Sequence, residues 1–117
     1  MAINNYIEQI IEKLKPLNPH KVILFGSYAE GINTKDSDID LLVVTNDDFI
    51  PQNFREKLNI KLKIACEIEE LRRKVPIDLL VYTKPMFAKF LALDSMFCRE
   101  ILNKGIVIYE SHHQSVA

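Results

Sequence analysis

The chain has 117 residues, 48% of them apolar, and its 15 Lys and Arg nearly balance its 16 Asp and Glu, for a net charge of −1. Such a chain makes one domain around one core, and it lacks the positive excess on which a general nucleic-acid binder relies. No apolar run approaches the roughly 20 residues of a membrane span. The opening Met1-Ala2-Ile3-Asn4-Asn5-Tyr6 has no signal-peptide pattern, and Cys66 and Cys98 have neither metal nor pair spacing, so a cytoplasmic protein is expected.

Ile3, Ile7, Ile10, Ile11 and Leu14 recur at helical spacing and predict an opening amphipathic helix, ended by Pro16 and Pro19. Val22-Ile23-Leu24-Phe25 is a short continuous apolar run and reads as a buried strand. Gly26-Ser27 stands where that strand should stop and a short helix towards Gly31 begin. Ile32 to Ser37 reads as a polar loop, and Asp38 to Val44 as a second buried strand that carries Asp38 and Asp40. Thr45-Asn46-Asp47-Asp48 closes it with turn residues, so Asp47 and Asp48 read as solvated caps.

A long helix is predicted from Pro51 to Arg73, although Lys57 to Ile64 alternates like a strand, because Gln52 to Lys74 has no internal Gly or Pro and exceeds a typical strand. Phe54, Leu58, Leu62 and Ala65 form one apolar stripe on it, and Ile60, Ile64, Ile68 and Leu71 a second. Together they cover more than a surface helix needs, so the surplus is either buried in the domain or a face for self-association or a partner. Basic residues from Arg55 to Lys74 are interleaved with Glu and read as a solvated face, with a modest surface for an acidic partner as the alternative. Pro76 to Tyr82 is a third apolar strand with Asp78 near its start. Lys84-Pro85 opens another helix, Asp94-Ser95 caps a last one through Leu102, and Ile106 to Tyr109 is a final strand after Gly105. Cys66, Cys98 and the aromatic and Met residues of Met86 to Phe97 read as core. The domain is taken as residues 1–110, followed by a polar tail, 111–117, with His112-His113.

The expected fold is therefore α/β, a small mixed sheet of about four strands flanked by helices. Its informative pattern is Gly26-Ser27 followed by Asp38-Ile39-Asp40. A glycine at a strand end lets a ligand approach the backbone, and helix-start N–H groups beside a Ser hydroxyl hold phosphate. Asp38 and Asp40, two residues apart on a strand, leave the same face. Paired carboxylates repel unless one takes a proton or a cation sits between them, and all-oxygen ligands favour Mg²⁺ or Mn²⁺. If the third strand lies beside the second, Asp78 joins them. Three acids facing a phosphate cradle suggest two-metal phosphoryl or nucleotidyl transfer. Taken singly, the same residues are turn and cap chemistry.

Leu24-Phe25-Gly26-Ser27-Tyr28-Ala29-Glu30-Gly31 with Asp36-Ser37-Asp38-Ile39-Asp40-Leu41-Leu42-Val43 resembles the signature of the minimal nucleotidyltransferases of the DNA polymerase beta-like superfamily. The closing Gly105 to Glu110 is similar to the end of that domain. The resemblance implies that Gly26 and Ser27 contact the β- and γ-phosphates of a nucleoside triphosphate. It implies that Asp38 and Asp40 hold two Mg²⁺ ions, and that Asp78 completes one metal site and helps deprotonate the acceptor hydroxyl. Many relatives carry Arg or Lys where this chain has Glu30; Lys35, in the same loop, is the candidate to replace that charge at the phosphates.

No acceptor domain is seen, so the acceptor is expected to be another protein or to sit between two copies of this one. Free-standing relatives of this kind pair with small all-helical HEPN proteins in toxin–antitoxin modules. The resemblance thus implies an antitoxin that moves AMP from ATP to a tyrosine of a HEPN RNase toxin. Two other readings stand beside it: a catalytically weak antitoxin that neutralises by binding alone, and a small-molecule enzyme of the aminoglycoside nucleotidyltransferase type.

Overall fold

A computed structural model describes residues 3–34 and 36–111. Lys35 and the tail with His112-His113 lie outside the described residues. The apolar runs form the four strands β1 (Lys21–Phe25), β2 (Ile39–Val44), β3 (Ile77–Tyr82) and β4 (Ile106–Glu110) of one sheet, in the order β3-β2-β1-β4. β1 pairs antiparallel with β2 and with β4, while β2 and β3 run parallel, so the sheet is mixed as expected.

Around it lie α1 (Ile3–Leu14), α2 (Ser27–Glu30), α3 (Phe54–Glu67), α4 (Glu69–Lys74), α5 (Lys84–Leu93) and α6 (Met96–Lys104), with a 3₁₀ turn at Lys15–Leu17. Strand alternation splits the core into two layers. Ile39, Leu41, Val43, Leu79 and Val81 pack with Ile10 and Leu14 of α1 and with Ile64, Ile68 and Leu71 of α3 and α4. Ile23, Leu42 and Val44 pack on the opposite face with Phe87 of α5 and Ile101 of α6. The parallel β2–β3 pair needs a crossover, and α3 and α4 supply it. Among the described residues no helix is long and apolar enough to cross a membrane.

Helix caps follow the sequence. Asn53 and Ser95 accept hydrogen bonds from the N–H groups of Glu56 and Cys98, at 2.9 and 3.1 Å, and so start α3 and α6. Gly105 ends α6 where a Cβ would strike the carbonyl oxygen of Ile101 and crowd Ile23.

Four expectations need correction. Asp38 lies one residue before β2, not within it. The single helix to Arg73 is two: Ile68, at φ −111° and ψ 20°, breaks it. No Gly or Pro marks that break; Ile68 is fully buried, and its packing with Ile64 and Leu71 in the common core overrides local propensity. Cys98 is buried but Cys66 is exposed. In Met86 to Phe97 only Phe87 is fully in the core, while Leu93, Met96 and Phe97 are exposed.

The two stripes of the crossover separate except at Ala65, which belongs to the first stripe but is buried with the second. Ile64, Ile68 and Leu71 are buried, whereas Phe54, Leu58 and Leu62 face outward, with Phe54 76% exposed. Ile68→Ala should therefore cost about 2–5 kcal/mol of stability through the cavity it leaves. Phe54→Ser should cost within about 0.5 kcal/mol, as surface changes do. Urea unfolding of the two variants measures the contrast.

Candidate active site

β1 ends at Phe25, directly opposite Asp40 on β2, and Asp40 stands in register with Asp78 on β3. Residues in register on neighbouring strands share a face, so Asp40 and Asp78 lie side by side on the face that carries Leu42 and Leu80. Asp38, exposed in the loop before β2, completes the group at this end of the sheet. The acids expected from sequence therefore share one sheet end, and the third strand lies where that expectation required it.

Gly26 follows Phe25 with φ 77° and ψ −157°, a conformation that only glycine adopts without strain. A Cβ at this position would collide with a carboxylate oxygen of Asp40. The turn and the acid are thus in close contact, and the missing side chain is what lets the Asp40 carboxylate lie against the backbone. Ser27 begins α2, whose four residues give it little macrodipole, so any anion here would rely on individual N–H groups. Inside the preceding loop, Thr34 and Ser37 are tied by a Thr34 N–H to Ser37 Oγ bond of 2.9 Å. Glu30 turns towards α6 and pairs with Lys104 at 3.8 Å, so its charge is met there.

The electrostatics at the acids are unbalanced. Among the described residues, Asp38, Asp40 and Asp78 form no ion pair and accept no side-chain hydrogen bond. Partial burial, then the Asp78 and Asp38 charges, push the Asp40 carboxyl above its ordinary value. Three hard oxygen donors with no resident cation suit Mg²⁺ or Mn²⁺ better than Zn²⁺. As they stand, however, no three His, Cys, Asp or Glu side chains among the described residues are gathered at metal-ligand distance. The donor type fits a divalent cation, but the side chains are not set at ligand spacing.

Sequence reading missed two residues. A cleft of about 620 Å³ opens beside β3 and is lined by Asp38 and Asp78 together with Glu69, Arg72 and Arg73 of α4. The two arginines read from sequence as a solvated face, yet the topology could have placed them. α4 ends at Lys74 and β3 starts at Ile77, so the last turn of α4 must sit at the strand end that carries Asp78. A second cleft, about 500 Å³, lies at the far end of β2 against α3 and contains none of these acids.

Known structures share this arrangement of sheet and helices. A crystal structure from Sulfolobus solfataricus described as "a putative nucleotidyltransferase" aligns over 91% of this chain and 78% of its own, with a TM-score of 0.55 at 19% identity. A crystal structure described as "the toxin-antitoxin with AMP-PNP" aligns over 91% of this chain and 74% of its own, with a TM-score of 0.54 at 21% identity. Fold and sheet-end chemistry together define a nucleotidyltransferase. The family described as "Polymerase beta, Nucleotidyltransferase" matches residues 7–114, and the chain belongs to it. A Methanocaldococcus jannaschii relative named "Putative protein adenylyltransferase" is 37% identical over 108 residues, 92% of this chain and 95% of its own.

Two outcomes follow from the geometry. Gly26→Ala should lower stability by at least about 1 kcal/mol from the positive φ alone, and more from the collision with Asp40, as thermal unfolding would show. Asp40→Asn should stabilise the cation-free protein near neutral pH. The folded Asp40 holds its proton more tightly than the unfolded one, so the wild type loses stability as pH rises through the raised value. The advantage of the variant should vanish below the ordinary Asp range, where Asp40 is protonated in both states. Melting temperatures of both proteins across pH, in chelator, test the sign.

Proposed function

We propose that the protein uses Mg²⁺ to transfer AMP from ATP to a hydroxyl of a partner protein, a tyrosine of a HEPN RNase toxin, and so acts in the cytoplasm as its antitoxin. The observation that carries this reading is Asp40, in register with Asp78 and pressed against Gly26. The name of the Methanocaldococcus relative supports a protein acceptor. The similar fold found in a toxin-antitoxin structure with AMP-PNP supports the nucleotide and the setting.

In this reading Gly26 and Ser27 receive the triphosphate through backbone N–H groups and the Ser hydroxyl. Lys35, from the loop between α2 and β2, adds a cation at the phosphates. Asp38 and Asp40 hold divalent cations, and Asp78 completes one set. Divalent cations held by these acids would supply charge stabilisation for phosphoryl displacement. Asp78 draws the proton from the acceptor hydroxyl as its oxygen closes on the α-phosphorus. The new phosphoester forms, the bond to the bridging oxygen breaks, and pyrophosphate leaves.

A second reading has its own observation. The acids are not gathered at metal-ligand distance, which suits an antitoxin that acts by contact with little transfer. One experiment separates the two. The protein is incubated with labelled ATP, Mg²⁺ and the helical toxin, and both label incorporation and residual RNase activity are followed. Asp38→Ala should cut labelling by at least about a hundredfold, the scale on which losing transition-state charge stabilisation acts, and should leave the RNase active. Equal labelling by wild type and variant rules out the catalytic reading. Full neutralisation by an unlabelled complex establishes the contact reading.

A further inference from the structure

Reading across the acid end of the sheet, the order of groups is fixed by topology. Gly26 and Ser27 follow β1, Asp40 is on β2, and Asp78 is on β3, the edge strand. Beyond Asp78 the surface falls into the cleft lined by Arg72 and Arg73. The arginines are therefore on the side of the acids away from the phosphate cradle. A triphosphate seated at Gly26-Ser27 reaches Asp40 first, and the open space for its reaction partner lies past Asp78.

Both arginines have capacity to spare. Arg73 makes one loose contact, with Glu69 at 3.5 Å and both side chains exposed, and such a pair contributes little. Arg72 makes no ion pair or side-chain hydrogen bond among the described residues. Two guanidiniums offer planar, bidentate sites that match carboxylates. Their helix ends immediately before the strand that carries Asp78, so they are held close to the attack position by a short connection.

We infer that Arg72 and Arg73 are an acceptor-recognition pair, and that the acceptor presents its hydroxyl on an acidic peptide, flanked by Asp or Glu. This rests on the proposed transfer to a protein hydroxyl. Two neighbouring guanidiniums on the acceptor side of Asp78 offset the carboxylates of Asp38, Asp78 and Glu69 in the same cleft, and so admit a chain whose own carboxylates those acids would otherwise repel. The pair thereby sets specificity through complementarity rather than through bulk affinity. The same chemistry would greet a phosphodiester, but the near-balanced charge of the chain, 15 basic against 16 acidic residues, favours a short acidic peptide over a nucleic-acid backbone.

The test uses the full chain and three fluorescein-labelled probes: a tyrosine flanked by glutamates, a tyrosine flanked by lysines, and a single-stranded RNA octamer. Anisotropy should show the wild type binding the acidic peptide about tenfold tighter than the basic one, a difference of the size charge complementarity supplies. R72E/R73E should reverse that preference, and R72K/R73K should keep most of it, which separates charge from misfolding. Unchanged preference in R72E/R73E, or equal binding of both peptides by the wild type, overturns the inference. Tighter binding of the RNA than of the acidic peptide overturns the peptide assignment in favour of a phosphodiester. Transfer of labelled AMP is measured in parallel. Transfer to the toxin without any peptide preference sinks the recognition pair alone. An intact preference with no transfer to any acceptor sinks the enzymatic reading and leaves an acidic-peptide cleft.

Discussion

The parallel pairing of β2 with β3 is the constraint on which the site depends. Its register sets Ile39 beside Ile77, Asp40 beside Asp78 and Leu41 beside Leu79. Side chains alternate with a period of two, so a slip of one residue would carry Asp78 to the face packed against α1, α3 and α4 and leave Asp40 alone. Ile39, Ile77, Leu41 and Leu79 prevent that slip, since all four are buried in the layer beneath. Apolar packing on one face thus holds two like charges together on the other.

That arrangement carries a cost which the protein does not offset internally. Neither Asp40 nor Asp78 has an ion-pair partner among the described residues, and partial burial, then the neighbouring Asp78 and Asp38 charges, make Asp40 bind its proton more tightly than an ordinary aspartate. Local rules of stability would place a lysine here. In the proposed reading the site receives its cation from solution, and an internal cation would occupy that place. Gly26 permits the close packing beside it: its positive φ and the lack of a side chain let the turn lie directly against the Asp40 carboxylate, where any other residue would collide.

The elements legible in the sequence were those in which local pattern and tertiary need agree. The apolar runs at Val22 and Leu41, the Gly26 turn, the Ser95 cap and the single acid of the third strand each had one sensible reading, and the structure follows it. The break at Ile68 was not legible, because nothing in the local residues asks for it; burial in a layer assembled from α1, β2 and β3 decides it. The two apolar stripes of the crossover were visible, but which one faced the core was not, since both have helical spacing. Exposure of Phe54, Leu58 and Leu62 is a property of where α3 lies, not of its pattern. Arg72 and Arg73 looked like any charged helix end until the short step from α4 to β3 placed them beside Asp78.

That short step also gives the site a direction. If the donor triphosphate rests on the turn after β1, its reactive phosphorus must face along the sheet end towards β3, because β4 and the Lys104 end of α6 close the other side. An in-line displacement needs the attacking oxygen opposite the leaving group, and the cleft past Asp78 is an open surface in that direction. In that reading the order of strands puts donor and acceptor on different halves of the sheet: the antiparallel half presents the glycine turn, and the parallel half adjoins the arginines of α4. Because α4 and β3 are joined so tightly, any shift of the crossover that disturbed the register of Asp78 would move the acceptor side with it. In the proposed reading, catalytic acid and recognition surface then stand or fall as one unit, which would tie the choice of acceptor to the integrity of the β2–β3 pair.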